Sequence, residues 1–162
     1  MMDQDIRALY EEVILDHNRN PRNYPKRPKG ADHHAHGYNP LCGDEFSVHL
    51  KIEDGRIADI GFEGAGCAIS TASASLMTEA VKGKTVEEAK TLFSNVHNLI
   101  TDAGEPRKVG KLAVLEGVKD FPMRIKCATL AWHTLNAALE NRPDTVSTED
   151  PKPACEQPHH EP

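Results

Sequence analysis

Apolar residues fall into two alternating periods along the chain. Over residues 3–17, Ile6, Leu9, Tyr10, Val13 and Ile14 recur at helical spacing, and the prolines and basic residues of 18–28 close the helix. From Phe46 the period drops to two. Phe46, Val48, Leu50 and Ile52 alternate with Ser47, His49 and Lys51, and beyond Asp54-Gly55 the residues Ala58, Ile60 and Phe62 alternate again. The pattern predicts a β-hairpin with an Asp-Gly turn. A weaker alternation across residues 31–38, where His33, His34 and His36 cluster, suggests a third strand.

After Cys67 the helical period returns through Ile69, Ala72, Leu76, Met77 and Ala80, with Gly83 as a stop. Thr85 and Glu88 have the spacing of a capping box and open a helix that turns Val86, Ala89, Leu92, Phe93 and Val96 inward. Residues 101–120 are looser and hold a short apolar piece at 112–115. Pro122 suits the first turn of a last helix, along which Ala128, Ala131, Trp132, Leu135, Ala138 and Leu139 repeat. A hairpin followed by helices predicts an α+β fold: a small antiparallel β-sheet of about three strands with helices packed on one face. The domain is expected over residues 1–141. Residues 142–162 hold five prolines and five acidic residues with almost nothing apolar, the composition of a disordered tail.

Composition narrows the function. A formal charge of −6 argues against nucleic-acid binding, which needs a basic footprint. No apolar run approaches the roughly 20 residues that span a membrane, and the first residues lack the pattern of an export signal. A cytoplasmic location is therefore the expectation, and in that compartment four cysteines are reduced thiols or metal ligands rather than disulfides.

Three of these cysteines stand in glycine- or proline-marked settings: Asn39-Pro40-Leu41-Cys42-Gly43-Asp44, Gly64-Ala65-Gly66-Cys67-Ala68-Ile69-Ser70 and Phe121-Pro122-Met123-Arg124-Ile125-Lys126-Cys127-Ala128. Cys42 and Asp44, two residues apart, share a side in extended backbone. Cys67 falls where a helix begins, at the positive end of the helix dipole. Cys127 lies beside Arg124 and Lys126, cations that would offset the charge of a thiolate-rich site. The trio reads as one metal–thiolate site assembled by folding. The spacings match no compact Cys-x-x-Cys pattern, so three buried, inert cysteines are the competing reading.

The same three motifs, with Ile14-Leu15-Asp16-His17 and Asn20-Pro21-Arg22-Asn23, resemble the NifU/IscU-like family of iron–sulfur cluster assembly proteins, and the likeness runs over about residues 9–139. Its scaffold branch typically has a histidine directly before the third cysteine, where this chain has Lys126. That difference, and the extended segment containing Leu115-Glu116-Gly117-Val118, look like the SufU branch, whose members bind zinc and relay sulfur. The resemblance implies an IscU/SufE-like fold, with Cys42, Asp44, Cys67 and Cys127 as zinc ligands and Cys42 as the sulfur acceptor. It implies as partners a SufS-type cysteine desulfurase and, downstream, SufBCD-type assembly machinery. The alternatives are a scaffold holding iron or an iron–sulfur cluster on the same ligands, and a purely structural zinc module. Arg124 is expected to steady a departing thiolate or persulfide as a fixed cation. His33, His34 and His36 read as a solvated histidine loop, with metal buffering near Cys42 as the other possibility. Cys155, His159 and His160 read as part of the tail, and His133, about 240° around the helix from Cys127, should point away from the site.

Overall fold

The computed structural model describes residues 4–40, 43–101, 110–141 and 146–147. Helix α1 (Gln4–Arg19) leads to strands β1 (His33–Asn39), β2 (Asp44–Glu53) and β3 (Arg56–Ala65). Helices α2 (Ala68–Val81) and α3 (Val86–Thr101) follow, then a 3₁₀ segment (Gly110–Asp120), α4 (Pro122–Leu139) and a two-residue strand β4 (Val146–Ser147). The sheet order is β3-β2-β1-β4. Pairing is antiparallel across the first three strands and parallel between β1 and β4. The architecture is α+β, as the periodicity predicts.

The local signals act where the sequence places them. Asp54 and Gly55 both take positive φ (52° and 75°), the backbone of a tight hairpin turn that matches strand twist. The capping box is complete: the Thr85 N–H donates to Glu88 Oε1 at 2.9 Å and the Glu88 N–H to Thr85 Oγ1 at 3.0 Å. Gly64 has φ +120°, and a Cβ there would stand 2.1 Å from the Glu45 carbonyl oxygen, so only glycine fits at this pairing with Phe46.

Two expectations change. The solvated-loop reading of His33, His34 and His36 gives way to the third strand that the weak alternation suggests: all three lie on β1, held by β2 through a full antiparallel ladder. In the segment whose composition reads as tail, Val146 and Ser147 pair with Gly37 and Tyr38, and Val146 packs against the core.

Inward-facing Phe46, Val48, Leu50, Ile60 and Phe62 of the sheet meet Leu76 and Met77 of α2 and Leu130, Trp132 and Leu135 of α4 in one buried core. Helix α4 lies across β1 and β2, and α1 packs on α2. The residues after α1 fold along the free side of β3. The Phe62 N–H donates to the Asn23 carbonyl, the Lys26 N–H to the Phe62 carbonyl, and the Tyr24 hydroxyl to the Gly64 carbonyl. Nearer the turn, the Ile57 N–H and carbonyl bond to Lys84 and Gly83. Among the described residues no helix is long and apolar enough to cross a membrane.

Candidate metal centre

The site forms where four elements end together. Asn39 closes β1 and pairs in register with Asp44, which opens β2. Cys67 is the N-cap of α2, and Cys127 sits in the second turn of α4. A glycine-flanked strand end delivers Cys67 to that cap position, and Pro122, at the start of α4, fixes the turn that carries Cys127 inward.

One carboxylate oxygen of Asp44 and the sulfurs of Cys67 and Cys127 all lie within 4.8 Å of one another. Asp44 and Cys127 are 2% and 1% exposed, whereas Cys67 is half-buried and forms the open side. A buried carboxylate is costly without donors, and among the described residues Asp44 has two nitrogen or oxygen donors. The Cys67 N–H donates to Oδ1 at 2.9 Å, and the Ser70 hydroxyl makes a short hydrogen bond to Oδ2. The Ser70 hydroxyl also lies 3.2 Å from the Cys127 carbonyl oxygen. Having a single hydrogen, it serves the charged carboxylate first. The sulfurs have donors of their own. The Ser70 N–H points at Cys67 Sγ (3.4 Å), the Asn39 amide at Cys127 Sγ (3.9 Å), and the exposed Arg124 guanidinium at Cys67 Sγ (3.8 Å).

These donors suit a tetrahedral zinc ion. Zn–S and Zn–O bonds of about 2.3 and 2.0–2.1 Å at the tetrahedral angle place sulfur and oxygen about 3.6 Å apart. The Asp44 Oδ2 to Cys67 Sγ distance is 3.7 Å. Three protein donors with one side open leave room for a fourth ligand.

Of the residues singled out in the sequence, Asp44, Cys67 and Cys127 converge, and Arg124 joins them through Cys67. Cys42 lies outside the described residues. Its neighbour Gly43 donates its N–H to the Asn39 carbonyl at 2.8 Å, closing the hairpin end beside the site. Cys155, His159 and His160 also lie outside the described residues. His133 packs against Phe93 and His97 at ring-centroid distances of 5.3 and 5.8 Å, on the α3 side of α4. Sequence reasoning passed over Asn39 and Ser70 as site residues. Both stand inside the cysteine motifs, and Ser70, three positions after an N-cap, is where a capping partner is expected.

A small α+β domain that gathers a carboxylate and cysteine sulfurs where β1, β2, α2 and α4 meet carries a candidate thiolate metal site. The chain is a member of the family described as the NifU-like N terminal domain, whose model matches residues 9–144. It is 40% identical over 147 residues to the iron–sulfur cluster assembly scaffold protein IscU of Streptococcus pyogenes serotype M1, covering 83% of this chain and 85% of that one. It is 39% identical over 140 residues to the zinc-dependent sulfurtransferase SufU of Bacillus subtilis (strain 168), covering 83% and 92%. Among solved structures it resembles FiSufU, a SUF-system protein of Fervidobacterium islandicum AW-1, with a TM-score of 0.75, 35% identity and coverage of 82% and 98%. The chain is thus of the scaffold and SufU type that serves iron–sulfur cluster assembly.

Proposed function

We propose that this protein is a zinc-dependent sulfur-transfer protein that takes persulfide sulfur from a SufS-type cysteine desulfurase onto Cys42 and hands it to SufBCD-type cluster assembly machinery. The observation that supports this most is the fit of Asp44, Cys67 and Cys127 to three corners of a zinc site, with Cys42 two residues from Asp44 as the fourth ligand. Likeness to the zinc-dependent Bacillus relative and Lys126 in place of a histidine before Cys127 point the same way.

Zinc, when bound, keeps its thiolates deprotonated at neutral pH and contributes no redox chemistry of its own. In the transfer, the Cys42 thiolate attacks the outer sulfur of the desulfurase persulfide. A new S–S bond forms on Cys42, the old one breaks, the desulfurase cysteine leaves as a thiolate, and no net oxidation occurs. Arg124, exposed at the rim and aimed at Cys67, supplies fixed positive charge where anionic sulfur accumulates. Ser70 and Asn39 hold the acceptors of the site in place while Cys42 reacts.

Purified protein should carry about one zinc per chain and, mixed with desulfurase and cysteine, should gain one sulfur on Cys42 by mass spectrometry. Cys42→Ala should abolish both that sulfur and the stimulation of desulfurase turnover, and undiminished stimulation by the variant would sink the proposal. The scaffold name of the Streptococcus relative favours a second reading, in which the same ligands hold a cluster. Anaerobic reconstitution followed by transfer of an intact cluster to an apo-acceptor would establish it.

A further inference from the structure

The face of the sheet turned away from the helices carries a group that the sulfur site does not use. His34 on β1 and His49 on β2 stand directly opposite each other in the ladder, and their Nδ1 atoms are 2.8 Å apart. His49 is almost fully buried, and its Nε2 lies 2.9 Å from Glu63 Oε1 on β3. One step along the face, His36 contacts Ser47 Oγ through Nδ1 (2.9 Å) and Glu45 Oε2 through Nε2 (2.8 Å). The Arg27 guanidinium lies 3.4 Å from the same Glu63 oxygen.

Glu63 decides where the His49 proton sits. As an acceptor it fixes the hydrogen on Nε2, which leaves the Nδ1 lone pair of a neutral ring directed at His34. Burial also favours neutral His49, the form that binds metals. This is the carboxylate–histidine arrangement that orients metal-ligating imidazoles. The separation of the two nitrogens then selects an ion. Two nitrogens each about 2.0 Å from one ion are about 2.8 Å apart at a right angle and about 3.3 Å apart at the tetrahedral angle. The observed 2.8 Å is the length of an N–H···N hydrogen bond between the two rings, and it is also the separation that a right-angled pair of ligands requires.

We propose that His34 and His49 form a second metal site, in which both Nδ1 atoms chelate a nitrogen-preferring divalent ion of right-angled geometry, of the Ni²⁺ and Cu²⁺ class, with Glu63 as the outer carboxylate. His34 is exposed, so the remaining positions of the ion are open to water or to a donor from a partner. The site is independent of the thiol centre. Five residues of strand, about 17 Å, separate His34 from Asn39, and the two sites use opposite faces of the sheet.

The test uses full-length protein preloaded with one equivalent of zinc and titrated with Ni²⁺, which thiols do not reduce, by calorimetry and by NMR of the histidine rings. One Ni²⁺ should bind, with the His34 and His49 ring signals broadened first. His34→Gln, at an exposed position that leaves the core untouched, should weaken Ni²⁺ binding at least tenfold. Glu63→Gln should weaken it roughly 10–100-fold. A double variant, His159→Gln with His160→Gln, should bind as the parent does. Parental Ni²⁺ affinity in His34→Gln would overturn the proposal and leave the 2.8 Å contact as a hydrogen bond between two neutral rings. Loss of binding in the tail variant would overturn it equally, by assigning the ion to the tail.

Discussion

Replacing Ser70 with alanine removes a single oxygen, and the geometry fixes what that oxygen does. Its hydrogen goes to Asp44 Oδ2 inside a site where the carboxylate is 2% exposed, and among the described residues the other nitrogen or oxygen donor to that carboxylate is the Cys67 N–H on Oδ1. A buried hydrogen bond to a charged group contributes about 1.5–3 kcal/mol. At about 1.4 kcal/mol per tenfold, this corresponds to roughly 10–150-fold in the zinc dissociation constant if the lost bond acts wholly through the orientation of Asp44. The range agrees with the roughly 10–100-fold typical of outer partners of metal ligands. Competition against a chromophoric chelator at neutral pH measures the affinity, and circular dichroism of the same samples confirms that α2 still forms. A zinc affinity within about threefold of the parent, with the fold intact, would refute the argument that Ser70 holds the ligand set.

Two further outcomes follow from the fold. Gly64→Ala should destabilise the domain by about 2–4 kcal/mol, because φ +120° and a Cβ contact of 2.1 Å with the Glu45 carbonyl leave no strain-free solution; an unchanged urea midpoint would contradict this. Burial holds the His49 pKa below its ordinary 6.5, against the opposing pull of Glu63. As pH falls through 6.5 the unfolded chain takes up a proton that folded His49 refuses, so stability should decline from pH 6.5 down to the lowered native value. Above 6.5 this group adds no slope. Urea titrations between about pH 5 and 7.5 measure the trend, and a His49→Gln variant that keeps the full slope would assign it elsewhere.

Much of the fold was legible because its signals are local. The Asp54-Gly55 turn, the Thr85–Glu88 box and Pro122 each act within a few residues, and each stands where the pattern puts it. The convergence of Asp44, Cys67 and Cys127 was legible through motif context, although 88 residues of chain separate Asn39 from the Cys127 sulfur it contacts. Strand β1 was faint for a physical reason. Its inward positions are Ala35, Gly37 and Asn39, and a Cβ at Gly37 would stand 2.0 Å from Thr134 Oγ1 on α4. The helix lies so close that large apolar residues cannot mark the inner face. Strand β4 had no signal beyond Val146, since parallel pairing with β1 depends on where the end of α4 delivers the chain. Ser70 and Asn39 act on groups distant in sequence, so residue type alone could not assign their roles.

The bonds along the outer side of β3 have a consequence for how this protein can be recognised. At Ile57, Phe62 and Gly64 the outward backbone groups engage the chain's own Lys84, Gly83, Asn23, Lys26 and Tyr24, and the Ile60 N–H is taken by the Asp59 side chain. With these groups already engaged among the described residues, an incoming peptide has few ladder bonds left to make on that margin, which disfavours strand addition there. Selectivity for a visiting protein then rests on side chains more than on β3 backbone, and surface substitutions could retune it without touching the sheet.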